Sequence, residues 1–159
     1  MKKLYAILTI LTAILGLSSG TLNAQCENNN GILTVYGAPS VVGASVGDGV
    51  CILAGESFRI INLQAGSTYR ISACGSDPGL DTRLTVYPSS GGGALAFNDD
   101  YCGLMSRLDF TSVDGSSIDV LLDATGPGNT CVSNNELCGS VIITLISVSG
   151  DPEYCTPQY

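Results

Sequence analysis

The residues of this chain best equipped for chemistry stand together in 95–103, LAFNDDYCG. A short apolar lead, with Leu95 and Phe97 on one face, runs straight into Asn98, Asp99 and Asp100, followed by Tyr101 and Cys102. Two carboxylates beside an amide oxygen are hard ligands, and calcium takes six to eight such oxygens, mixing carboxylates with carbonyls. Asp81 opens the preceding strand. A turn over 88–93 that folds 82–87 back onto 94–97 places Asp81 next to the trio. Carboxylates held that close repel one another unless a cation, or an arginine such as Arg83 or Arg107, stands among them. Asp81, Asn98, Asp99 and Asp100 are therefore the expected metal ligands, with calcium as the expected ion. The plainer alternative is a polar turn in which Asp99 and Asp100 cap backbone N–H groups and Asp81 bonds to Thr82. No contiguous calcium loop of the EF-hand kind is present, so both readings stand. Tyr87 and Tyr101 flank the same stretch, and aromatic faces near carboxylates suit sugar recognition. A structural role is the ordinary alternative for each.

Other chemistries are excluded by what is missing. The chain has no His and no Trp, and its lysines are Lys2 and Lys3. Without His there is no Ser-His-Asp or Cys-His nucleophile and no imidazole ligand. Without a lysine beyond the first residues there is no Schiff base. A glycosidase pair needs carboxyl groups roughly 5–10 Å apart across a cleft, which neighbours on one tight turn do not supply. The expectation is a protein that is not an enzyme.

The first residues set the compartment. Met1, Lys2 and Lys3 precede an apolar run over 4–17 and a small, polar exit ending at Ala24. That is the pattern of a secretory signal peptide over 1–24, and the apolar run is short of the ~20 residues that span a bilayer. A lipid anchor at Cys26 is the lesser alternative, because Gln25 replaces the small residue that lipoprotein processing uses. Beyond the leader, Arg59, Arg70, Arg83 and Arg107 face all fourteen acidic residues. Such a surface repels nucleic-acid phosphates and anionic lipid headgroups and attracts divalent cations. The expected partners are an extracellular polysaccharide or protein, with self-association as an alternative, and neither nucleic acid nor membrane insertion.

Seven cysteines in an exported chain read first as a disulfide framework. Cys131 and Cys138 bracket a polar loop that is easy to close. Cys74 ends one strand, Cys102 follows the Asn-Asp-Asp turn, and each is succeeded by a glycine. Cys26, Cys51 and Cys155 share the remaining pairing, and one thiol is left over.

The elements that must position these groups are strands. Alternation is repeated over 67–74, 82–87, 106–111 and 117–123; 140–148 is apolar on both faces; 32–36 and 58–63 complete the set, with a weaker strand near 49–53. Turn chemistry separates them at 64–67, 77–79, 88–93, 114–116 and 126–129. Eight or nine short antiparallel strands at this spacing predict an all-β, disulfide-stapled sandwich of jelly-roll type. It occupies 51–150, after an extended segment over 25–50 and before a tail over 151–159.

Four stretches in order carry a family likeness: LQAGSTYRISACG at 63–75, LDTRLTVY at 80–87, AFNDDYCG at 96–103 and SRLDF at 106–110. Together they resemble the bacterial pre-peptidase C-terminal domain, especially its cysteine-containing forms in secreted proteins of Bacteroidetes-like bacteria. The resemblance covers roughly 55–148. It implies a jelly-roll-like β-sandwich that acts as a non-catalytic module of exported enzymes, with some relatives, such as collagen-binding domains of clostridial collagenases, binding calcium. Two departures from the pattern are expected: a domain without an accompanying catalytic module, and a strand at 118–123 that lacks the family's aromatic residue.

Overall fold

The computed structural model describes residues 31–47, 51–75, 81–126, 130–132 and 138–150. The leader, the start of the extended segment and the tail lie outside this set. Among the described residues there is no helix, and twelve strands run in the order β1 (Ile32–Gly37), β2 (Ser45–Val46), β3 (Cys51–Leu53), β4 (Glu56–Ile61), β5 (Thr68–Ser72), β6 (Thr82–Pro88), β7 (Ala96–Asn98), β8 (Arg107–Thr111), β9 (Ile118–Gly126), β10 (Thr130–Val132), β11 (Cys138–Ser140) and β12 (Ile142–Ser147).

Two sheets form the sandwich. The larger has the order β1-β4-β9-β6-β7, with β10 also on β9; the smaller has the order β2-β12-β5-β8; β11 and β3 make a separate pair. Consecutive long strands cross from one sheet to the other, as β4 to β5, β5 to β6, β7 to β8 and β8 to β9 do. This is the jelly-roll-like winding the turn spacing predicts. β1 departs from the expected antiparallel scheme: it pairs with β4 in parallel, Val35 opposite Arg59. It is a full member of the larger sheet, inside the segment expected to be an extended lead-in.

Alternation places the core. Phe58 and Ile60 of β4, Leu84 and Val86 of β6, and Val120 and Leu122 of β9 point inward from the larger sheet. Tyr69 and Ile71 of β5, Leu108 of β8, and Ile143 and Leu145 of β12 meet them from the smaller one. Tyr36 of β1 packs edge-on against Phe58, with ring centroids 5.8 Å apart. Branched aliphatic side chains fill such a layer at high density with little loss of rotamer freedom.

Tyr69 is the exception to an all-apolar core. It is fully buried, yet its hydroxyl accepts the Gln64 N–H at 2.9 Å. One polar atom at the end of a large apolar ring thus fixes the turn that leads from β4 to β5. Tyr69→Phe keeps the ring and leaves the half-buried Gln64 N–H without its acceptor. The expected cost is about 1–3 kcal/mol in urea denaturation, and an unchanged midpoint refutes this role for the hydroxyl.

Candidate functional site

The acidic turn is assembled by three separate restraints. β6 and β7 form the expected hairpin, with Leu84 opposite Asn98 and Val86 opposite Ala96. After β7, the N–H groups of Tyr101 and Cys102 both donate to the Met105 carbonyl, at 2.9 and 3.0 Å. Gly103 takes a positive φ of 74° inside this tight turn, a conformation that glycine adopts without steric cost. The Cys74–Cys102 disulfide then ties the turn to the end of β5, closing a loop of 28 residues. A crosslink of that span stabilises by about 3–4 kcal/mol in the chain-entropy account.

Asp81 is brought in from the other side. The hydroxyl of Thr82 lies 3.0 Å from that of Ser106 and accepts the Ser106 N–H at 2.9 Å. The Thr82 N–H donates to the Leu104 carbonyl at 2.8 Å. Thr82 and Ser106 are both fully buried, so this small polar knot docks the start of β6 against the turn over 102–106. The result is a cluster in which ligand oxygens of Asp81, Asp99 and Asp100 all lie within 4.8 Å of one another. Asp81 and Asp99 are half-buried, and Asp100 is exposed.

Asn98, the fourth expected ligand, turns its side chain elsewhere. Its Oδ1 accepts the Arg107 N–H at 3.3 Å, bridging β7 to β8. Tyr101 is also committed: the Arg107 guanidinium carbon sits 3.6 Å from its ring centroid, and Arg107 Nη2 donates to its hydroxyl. This cation–π pair lies on the surface. Tyr87 is half-buried on β6, opposite Asp119 in the ladder, on a different strand from the acidic turn. Of the expected disulfides, Cys74–Cys102 is formed; the side chains of Cys131 and Cys138 lie outside the described residues, as do Cys26 and Cys155.

Arg83 is the group that makes the cluster tolerable. Leu84 and Val86 face the core, so Arg83 projects from the opposite face of β6, yet it is only 5 % exposed. Its Nη2 pairs with Asp99 Oδ2 at 3.0 Å. Directly across the ladder stands Asp123 of β9, itself 3 % exposed. Burial pushes the Asp123 carboxyl up to about 7, while the Arg83 charge pulls it down. A single buried guanidinium therefore serves a half-buried carboxylate on one side and an interior one on the other. Asp99 Oδ1, in contrast, is buried without a hydrogen-bond partner. That is an unusual state for an oxygen with such a strong demand for one.

The sequence pointed to Asp81, Asp99, Asp100 and the Arg83 neighbour. It gave no signal for the Thr82–Ser106 knot, which joins the first residue of β6 to the residue just before β8. Nor did it single out Asp123, which alternation shows only as one polar residue among outward-facing positions.

No protein-family model matches the chain, and no curated protein matches it. Among solved structures it is similar to the pre-peptidase C-terminal domain of collagenase from Bacillus anthracis, with a TM-score of 0.43 and 8 % sequence identity, covering 76 % of this chain and 99 % of that one. This is a distant likeness of fold.

Asp123 generates a pH prediction. Its folded-state value lies above the ordinary carboxyl value of 3.8. Between roughly pH 4 and 7 the folded chain therefore keeps a proton that the unfolded chain has released, and this group's contribution to stability falls as pH rises through that window. Asp123→Asn cannot ionise. Its stability relative to wild type should rise by roughly 2–4 kcal/mol between pH 4 and pH 8 in urea titrations. Asp109, held low by its hydrogen bond to Arg70, and Asp114, held low by the Ser116 N–H, act in both proteins and cancel. A pH-independent difference contradicts the buried-acid assignment.

Proposed function

We propose that the chain is a non-catalytic β-sandwich module of an exported protein, with a divalent cation, calcium by chemistry, held at its acidic rim. The observation that carries the metal is the pairing of three clustered carboxylates with an Asp99 oxygen that is buried and unsatisfied. Oxygen-only ligands favour a hard ion, and three carboxylates furnish three to six of its coordinating atoms, with carbonyls or water completing the shell. Asp81, Asp99 and Asp100 are the ligands in this reading. Asn98 serves instead as the brace between β7 and β8. The ion would neutralise the charge that Arg83 leaves uncompensated and would fasten β6 to the turn after β7.

Two observations support a non-catalytic role at the cell exterior. His is absent and the two lysines stand at positions 2 and 3, so histidine- and lysine-based catalysis has no residue in the sandwich to carry it. The Cys74–Cys102 bond belongs to an oxidising compartment. The ligand class in this proposal is a protein or polysaccharide outside the cell. A second reading, an assembly subunit joined through a strand edge, draws on β1. That strand borders the larger sheet and exposes Ile32, Leu33 and Val35, and such an edge invites pairing with another chain. A strict monomer by light scattering at high concentration removes that second reading.

The metal is tested by thermal unfolding in excess calcium and in EGTA. At a calcium concentration a hundred times the dissociation constant, binding contributes about 2.7 kcal/mol, which corresponds to a rise in Tm of roughly 5–15 °C. The double variant Asp81→Asn, Asp100→Asn keeps the Arg83–Asp99 pair and should lose the rise. Identical melting of the wild type in calcium and EGTA would falsify the metal.

A further inference from the structure

A second feature lies apart from the acidic rim. β7 and β8 are the last strands of their respective sheets, and between the start of β7 and the end of β8 opens a cleft of about 490 Å³. Leu95, Ala96, Phe110 and Ile118 contribute its apolar lining, and Asp114 and the Arg70-paired Asp109 its acidic lining. Leu95 is 53 % exposed, and Val113 at the mouth is 88 % exposed.

The phase of the β8 backbone decides what this cleft offers. Ser112 N–H donates to the Ser67 carbonyl at 2.9 Å, Gly66 N–H to the Ser112 carbonyl at 2.6 Å, and Ala73 N–H to the Ser106 carbonyl at 2.9 Å. Even-numbered residues of β8 therefore bond to β5, and alternation turns the main-chain groups of Arg107, Asp109 and Thr111 away from it. Arg107 shows this directly, since its N–H reaches Asn98 on the far side. Asp109 and Thr111 thus present N–H and C=O groups along the cleft, where β8 has no ladder partner among the described residues.

The wall beyond β8 is preformed. Ser112 Oγ accepts the Gly115 N–H at 3.1 Å, and Asp114 Oδ1 accepts the Ser116 N–H at 2.9 Å. Gly115, at a φ of 79°, lies so close to the Leu63 carbonyl that a Cβ would stand 2.9 Å from it. The loop is packed onto the turn between β4 and β5, so the cleft does not have to be built on binding.

We propose that this cleft takes an extended segment of another polypeptide as an added strand on β8. The segment seats an apolar side chain between Leu95 and Phe110 and directs a cationic neighbour toward Asp114, Asp109 being already paired with Arg70. Main-chain groups give such a complex its affinity and the pocket gives it selectivity. Charge favours this occupant over a second copy of the chain. The described arginines are already engaged with Asp119, Asp109, Asp99 and Tyr101, and the whole chain carries a net charge of −8, so two copies repel while a basic segment is attracted. A sugar would leave the strand's alternating donors and acceptors poorly matched. The inference rests on the binding-module reading but not on the metal.

The test is an NMR titration of the ¹⁵N-labelled chain with the peptide Ac-KVKVKVK-NH2, run once in calcium and once in EGTA. Amide shifts are expected at Asp109, Thr111, Val113, Leu95 and Ala96 in both. A peptide N-methylated at alternate residues and the acidic EVEVEVE peptide should each bind roughly tenfold or more weakly. Leu95→Ser, which removes the apolar contact at a 53 % exposed position without adding charge, should weaken KVKVKVK to a similar degree with Tm unchanged. Absent shifts, shifts at other residues or equal binding by the N-methylated peptide overturn the proposal. So does movement of the same resonances with protein concentration alone, which assigns the cleft to a second copy. Peptide binding that persists while calcium leaves Tm unaltered sinks only the metal.

Discussion

The buried guanidinium of Arg83 is the constraint around which one end of this molecule is organised. It lies on the face of β6 opposite the core, touches Asp99 on the turn after β7, and stands across from Asp123 on β9. Three successive parts of the larger sheet therefore share one positive charge. Water is nearly excluded, so the attraction is strong, but so is the cost of leaving any partner uncompensated. The carboxylates at the rim outnumber the charge available to them. The unsatisfied Asp99 oxygen is the local sign of that imbalance, and the proposed cation is its natural remedy.

The rest of the architecture supplies positions, not charge. The core cluster fixes the separation of the sheets, the Cys74–Cys102 bond fixes the turn against β5, and the Thr82–Ser106 knot sets the first residue of β6 beside it. Each restraint is short-ranged and uses different chemistry: dispersion, a covalent bond, and hydroxyls satisfied away from water. The acidic rim and the cleft both border β7, but the rim is built from side chains before β6 and after β7 and the cleft from main-chain groups of β8. Asn98 marks the border. By bonding to Arg107 it closes the β8 edge at one end and leaves Asp109 and Thr111 open beyond.

Much of this was readable in the sequence where a local rule sufficed. Period-two alternation located β5, β6, β8 and the core-facing residues of β9. The glycine and proline run at 88–93 announced the hairpin that carries Asp81 toward Asp99 and Asp100. What escaped was non-local. The parallel register of β1, whose Tyr36 packs against Phe58, is a pairing that no pattern within residues 32–37 encodes. Leu121 also broke the alternation rule: it is buried although it points away from the core cluster, in a row with Ser57, Thr85 and Phe97 across four strands. Asn98 looked like a ligand because its neighbours are acidic, but the outward phase of β8 brought an N–H to it first. Asp123 read as a solvent-facing residue and is instead enclosed beside Arg83.

The placement of the four arginines has a consequence for proteolysis. Each stands within a β-strand, β4, β5, β6 or β8, and each side chain is held by a neighbour. Proteases of trypsin specificity need such a residue on a segment that can leave its surroundings and thread into an enzyme cleft. Among the described residues the folded sandwich offers them no such segment, so cleavage at these arginines has to wait for the sheets to come apart.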